Sequence, residues 1–355
     1  MAHLVAREGP LARPTLPFRA LSSLPLSTSD MFLRAHLMAP YYHMVSDERV
    51  AHVWHLFAYK TVRQFTADLE FLLKRYQPLD LHEAIACVRQ DRPFPAKTFL
   101  LSFDDGYREM SEVVAPLLLQ KGVSATFFVN SAFVDNRRMG HRNKLSLAVE
   151  LLRNHRSPAL ERELSVRLQR HGIRSFCAEA AILEIADPHD PAIEDVMALL
   201  EVDETAYLRS NSPYLTSTQI QRLVKQGFTI GGHGVDHTSY ASLEPEAQFS
   251  QTVECIRFVK ETFHVTYGAF AFPFSDDDVS QECFDRLHGS GVVDVSFGTG
   301  GMVEPCSSGH VQRVNFESPL VAASHIVAFQ QARYLMRSLK KRLADVWLPA
   351  GFAGN

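Results

Sequence analysis

Residues 98–129, TFLLSFDDGYREMSEVVAPLLLQKGVSATFFV, decide how this chain folds. Thr98–Phe103 is a compact apolar run that stops at Asp104-Asp105-Gly106. A parallel strand covered on both faces reads this way, because neither face needs polar residues. Tyr107–Gln120 carries apolar residues at helical spacing, and Lys121 with Gly122 supplies a helix stop. A second apolar run, Ala125–Val129, follows at once. Strand, helix and strand in so short a span predict a right-handed βαβ unit, hence a parallel sheet or barrel.

The pattern extends both ways. Upstream, residues 38–44 (MAPYYHM) read as a short buried strand, and 61–76 as a helix with Phe65, Leu69, Leu72 and Leu73 on one face. LHEAIACVR at 81–89 reads as a second helix. Downstream, residues from about 134 to 212 break the rhythm. Leu145, Ala148, Leu151 and Leu152 form one helical stripe, and Leu160, Leu164 and Leu168 another. We read this stretch as a helical insertion emerging from a loop of the sheet. The alternation resumes at Thr216, which forms a capping-box pattern with Gln219. Gly227 ends that helix, and Phe228-Thr229-Ile230 leads as a strand into Gly231-Gly232-His233. A helix over Pro245–Phe263 and strands over Tyr267–Phe272 and Val292–Phe297 follow. The expected organisation is an extension (1–37), a first barrel part (38–133), the insertion (134–213), a second barrel part (214–320), and an amphipathic helix with a tail (321–355).

Composition excludes several classes. The 355 residues are 46% hydrophobic and 21% charged, an ordinary globular mixture. The net charge of −4 lacks the basic excess of a nucleic-acid binder. Five scattered cysteines form no CxxC pair, which argues against a disulfide framework or a cysteine zinc site and for a reducing compartment. No apolar run has transmembrane length, and Pro25 and Asp30 interrupt the N-terminal stretch that would serve as a signal core. The expected location is cytoplasmic. The basic helix near the C-terminus is read as packing on the barrel with a charged outer face, not as lying on an anionic membrane. Oligomeric state is not legible in the sequence.

Two clusters carry chemistry, each at the end of an expected strand, where parallel α/β folds build their active sites. Asp104 and Asp105 are adjacent, so their side chains point different ways, and one can ligate a metal while the other faces substrate. As a bare sequence, Asp-Asp-Gly is equally a turn. His233 and His237 are spaced to chelate one metal from a helical turn. With 16 histidines in the chain close pairs also arise by chance, His52 and His55 being another. Taken together, Asp105, His233 and His237 make a three-ligand set that leaves positions open for water and substrate, and Asp104 is left over as a base.

These segments resemble the polysaccharide deacetylase family (the NodB-homology, carbohydrate esterase type). LSFDDGY at 101–107 is similar to its TFDDG motif, GGHGVDH at 231–237 to its H[ST]xxH motif, and FAFPFS at 270–275 to its RxPYG motif. YYHMVSDE at 41–48 and GVSATFFV at 122–129 agree as well. The resemblance covers roughly 40–135 and 214–320. It implies a distorted (β/α) barrel with a helical insertion. It implies that Asp104 is the base, that Asp105, His233 and His237 hold Zn²⁺ or a similar divalent ion, and that the backbone at Pro273 and Phe274 helps bind the oxyanion. The implied reaction is removal of N-acetyl groups from an acetylated saccharide, with O-acetyl esters, a non-sugar amide or formamide, or a non-catalytic glycan-binding role as alternatives. Three departures follow. Gly234 replaces the residue that braces the histidine loop. Ala271 stands where an Arg would orient the base, which predicts a loosely held Asp104. RVNFE at 313–317 lacks the histidine expected as general acid; His310 is near but out of register, and His43 is a second candidate. Asp276-Asp277-Asp278 reads as a solvated turn.

Overall fold

The computed structural model describes residues 37–175, 177–186, 190–302 and 309–347. The expected N-terminal extension lies outside them except for Leu37, as do Cys306 and the tail after Trp347. In chain order the elements are β1 (Pro40–Tyr42), α1 (Val62–Arg75), β2 (Gln77–Pro78), α2 (Leu81–Arg89), β3 (Thr98–Phe99), β4 (Ser102–Phe103), α3 (Ala115–Lys121) and β5 (Thr126–Val129). Five helices follow: α4 (His141–Asn154), α5 (Pro158–Arg170), α6 (Ala178–Leu183), α7 (Pro191–Leu199) and α8 (Glu204–Asn211). The alternation then returns with α9 (Ser217–Lys225), β6 (Thr229–Gly232), α10 (Pro245–Phe263), β7 (Ala269–Ala271), α11 (Gln281–Gly289), β8 (Val295–Gly298), β9 (His310–Gln312), β10 (Val314–Asn315) and α12 (Ala323–Trp347).

Eight strands form one all-parallel sheet in the order β10-β1-β4-β5-β6-β7-β8-β9. Its two edges are consecutive in sequence, with only Arg313 between β9 and β10. The sheet therefore curls into a nearly closed distorted (β/α) barrel whose seam is one residue wide. Tyr42, Phe65, Phe103 and Phe127 lie fully buried in the main core, each such ring contributing roughly 1.5–3 kcal/mol.

Two readings of local structure change in detail. Thr98–Phe103 is not one strand: β3 pairs with β2 in a side sheet and β4 joins the barrel. The run stays hydrogen-bonded between them, since Leu100 N–H donates to the Met38 carbonyl at 2.9 Å. The helix after Gly106 opens with a π-helical turn over Met110–Val114 before α3. Pro116 lacks the N–H that an α-helix would direct at the Glu112 carbonyl.

Helices α4 to α7 enclose a separate apolar cluster of Leu145, Leu152, Leu164, Leu168, Ile182, Ile193 and Val196. Their first turn nonetheless reaches the barrel: Asn143 donates to the His52 carbonyl at 2.8 Å and to the Tyr107 hydroxyl at 2.9 Å. The last helix packs against α1, and the Asp68 carboxylate accepts its Ala323 N–H at 3.0 Å. No helix among the described residues is long and apolar enough to cross a membrane.

Candidate active site

The site lies at the C-terminal ends of β1, β4, β6 and β7. Three residues there have left-handed backbones that side chains seldom adopt: Asp105 (φ 73°), His237 (φ 60°) and Phe274 (φ 60°). Such conformations concentrate where surrounding structure holds side chains in functional positions. Gly106 follows at φ 68°, and a Cβ there would sit 3.2 Å from Val129 Cγ1. The Asp-Asp-Gly turn therefore needs its glycine twice over, for backbone and for space.

Asp105, His233 and His237 converge so that one ligand atom of each lies within 4.8 Å of the others. Asp105 Oδ1 is 3.1 Å from His237 Nε2 and 3.4 Å from His233 Nε2. His233 Nδ1 lies 2.7 Å from the Ala271 carbonyl, so Nδ1 carries the proton and Nε2 the lone pair. That lone pair faces a buried carboxylate oxygen with no hydrogen-bond donor. Two electron-rich atoms this close repel unless a proton or a metal cation lies between them. One carboxylate oxygen and two imidazole nitrogens are a donor set suited to a divalent ion. The second close pair, His52 and His55, does not converge: His52 bonds Tyr207 and His55 bonds Glu150.

The histidine loop does not lose its brace at Gly234 (φ 80°). Asn130 donates to the His233 carbonyl, Gln251 Oε1 accepts the Val235 N–H at 2.8 Å, and Ala132 N–H donates to the Val235 carbonyl at 2.9 Å.

Asp104 is not loosely held, contrary to the expectation drawn from Ala271. Arg313, fully buried at the barrel seam, grips it with two parallel bonds: Nη1 to Oδ1 at 2.7 Å and Nη2 to Oδ2 at 2.8 Å. Arg313 also bonds Ser102 Oγ at 3.1 Å and lies over the ring of Tyr41 at 4.6 Å. Burial pushes the Asp104 carboxyl up, but Arg313 and then His233 more than offset it, so its pKa falls below the usual carboxylate value. The guanidinium comes from the junction of β9 and β10, remote in sequence from the motif where the resemblance placed it. Its signal was a lone Arg inside the apolar alternation of HVQRVNF.

Glu317 is the second residue that sequence reasoning passed over. Its Oε2 lies 2.5 Å from His43 Nδ1, and its Oε1 accepts the backbone N–H groups of His43 at 2.9 Å and Met44 at 2.8 Å. Burial disfavours a charged His43, but Glu317, with Asp105 and Asp104 behind it, lifts the pKa to about 10. His43 lines the same cavity as Asp104. So RVNFE lacks a histidine but supplies the carboxylate that holds one from β1.

Pro273 and Phe274 form a tight turn beside the histidines, and the Phe274 ring packs on His237 with centroids 4.5 Å apart. Among the described residues no acceptor takes the Phe274 N–H. Asp276, expected as part of a solvated turn, instead anchors this one. It bonds His310 Nε2 at 3.0 Å, accepts the Thr299 N–H at 2.9 Å and also bonds Gln312. Burial raises its carboxyl, but those bonds bring the pKa down to about 2. His310 is thereby committed to a support role, with Nδ1 on Ser296.

His43, Asp104, Asp105, His233, His237 and Phe274 line a cavity of about 250 Å³. Its walls combine Tyr41, Phe57, Tyr107, Tyr214 and Phe272 from the barrel with Gly140, His141, Arg142 and Asn143 from the start of α4.

The polysaccharide deacetylase family profile matches residues 91–173 and 184–286. Among solved structures the chain is similar to the Streptococcus pyogenes deacetylase PplD in complex with acetate, at 12% identity and a TM-score of 0.53, covering 83% of this chain and 97% of that one. It is similar to IcaB from Ammonifex degensii at 16% identity and 0.52, covering 83% and 97%. A de-N-acetylase from Aggregatibacter actinomycetemcomitans matches at 14% and 0.52, covering 82% and 99%. No curated protein matches the sequence. At these identities the solved structures share the fold.

Proposed function

Because this chain belongs to the polysaccharide deacetylase family, we propose that it is a metal-dependent hydrolase that removes N-acetyl groups from sugars of a poly- or oligosaccharide. One observation carries the reading: a buried carboxylate, Asp104, is clamped in its charged form beside an Asp-His-His set. Asp105, His233 and His237 would hold the ion, Zn²⁺ by the chemistry of the donors. When bound, such an ion polarises a carbonyl and makes water acidic. Every other role falls to the chain itself. Asp104 accepts the proton of the attacking water, and Arg313 keeps it ionised and aimed. The Phe274 N–H, fixed by the Asp276 anchor, donates to the oxygen that becomes negative. His43, kept protonated by Glu317, delivers a proton from Nε2 to the departing amine. An amine leaves poorly as an anion, so this last transfer is required.

Acetate release from N-acetylated chitooligosaccharides tests the reading. Chelation should lower the rate to below a tenth, and added Zn²⁺ should restore it. A chain that binds no divalent ion, or whose rate survives full removal of one, would sink the proposal.

The Glu317–His43 pair gives a pH test. The carboxylate raises the imidazole pKa, so the acid is present at low pH and lost as pH rises through that value. Glu317→Gln removes the raising charge while burial still lowers, so the alkaline fall in kcat should move down by two pH units or more. At pH 8 the variant should be at least tenfold slower than wild type, and at pH 6 much closer to it. Parallel pH profiles would exclude His43 as the acid.

A further inference from the structure

Arg142 is set into the wall of the catalytic cavity from the first turn of α4. Its guanidinium offers five N–H donors. One of them, on Nη1, goes to the Leu183 carbonyl at the end of α6 at 2.8 Å. Among the described residues no other acceptor takes a bond from Arg142, and no carboxylate forms an ion pair with it. Glu204, which approaches the same turn, is engaged by Lys144 at 2.7 Å and by the Met139 N–H at 2.9 Å. Burial lowers the Arg142 pKa from its ordinary value. Largely buried charges are otherwise paired, because desolvation costs several kcal/mol per ion. Arg313 shows the ordinary solution in this same molecule, where the buried guanidinium meets a carboxylate on two bonds.

Among the described residues, then, Arg142 is a cation on the wall of a substrate cavity with no carboxylate paired to it. We propose that Arg142 is a specificity residue that reads an acidic group on the substrate, so that the preferred substrate is an acetylated sugar bearing a carboxylate or a phosphate. This rests on the deacetylase reading of the site and names the substrate class within it. The planar fork of the guanidinium suits either anion by paired N–H donors. The neighbouring wall residues, Gly140 and Asn143, add no negative charge. The feature belongs to the inserted helices and not to the barrel, so the insertion would set what the barrel chemistry acts upon.

The test uses the zinc-loaded full chain and three probes: N-acetylglucosamine, N-acetylglucosamine 6-phosphate and N-acetylmuramic acid. Binding is measured by calorimetry and acetate release by kcat/KM. Wild type should favour at least one acidic sugar over the neutral one by tenfold or more. Arg142→Gln should bring that ratio close to one, and Arg142→Lys, which keeps the charge, should retain part of it. A preference for phosphate or for carboxylate identifies the anion. The inference is overturned if the neutral sugar binds as well as both acidic ones, if none of the three binds, or if Arg142→Gln leaves the ratio intact. Binding that depends on Arg142 without acetate release would count against the deacetylase reading and not against the anion site.

Discussion

Asp104→Asn protein should keep its divalent ion and lose about a thousandfold in kcat, the usual worth of a positioned general base. The amide is nearly the same size and can still bond Arg313 through its oxygen, so the fold should survive. It cannot accept a proton, which isolates the chemical role. Since the proposed ligands are Asp105, His233 and His237, metal content by elemental analysis should be unchanged while acetate release collapses. Turnover within tenfold of wild type would remove Asp104 from the base role. Loss of the metal together with activity would instead make Asp104 a ligand.

Arg313→Met should have the largest effect on stability. The guanidinium is fully buried and paired with a carboxylate that is also buried. Removing one partner of a buried pair costs about 3–5 kcal/mol, because the other charge stays desolvated and unpaired. The sign with pH follows. In wild type the Asp104 pKa is depressed, so its stabilisation is present above the ordinary carboxylate value and is lost as pH falls through the lower folded value. In the variant, burial acts unopposed and raises that pKa. The stability gap between the two proteins, read from urea unfolding, should therefore be widest near neutral pH and shrink on acidification. A gap under 1 kcal/mol at pH 7 would mean that the pair contributes little to the barrel.

How much of this was written in the sequence depends on distance along the chain. Asp104-Asp105-Gly106 and His233…His237 announce themselves because each follows an apolar run, and the strand order then brings them together. The βαβ rhythm made the barrel legible for the same reason: hydrophobic periodicity is a local signal. Arg313 and Glu317 were not legible as partners of Asp104 and His43. Each pair spans more than two hundred residues, and pairing across a barrel seam depends on which edges meet, which local pattern does not encode. Asp276 was misjudged for a related reason. Three consecutive acids look solvated, but His310 and Gln312 from β9 cover the first of them. The role of α4 as a cavity wall was likewise invisible, since nothing in its heptad-like stripe marks which turn faces the barrel.

The one-residue gap between β9 and β10 has a consequence for how the protein comes to life. During synthesis Asp105, His233 and His237 have all emerged once residue 237 has, yet β7 to β10 are still to come, and with them the Ala271 carbonyl that orients His233. Arg313 arrives much later and does two things in one step: it joins β9 to β10 and clamps Asp104, the proposed proton acceptor. Under the proposed mechanism, ring closure and the fixing of the base thus coincide at a single side chain, Arg313.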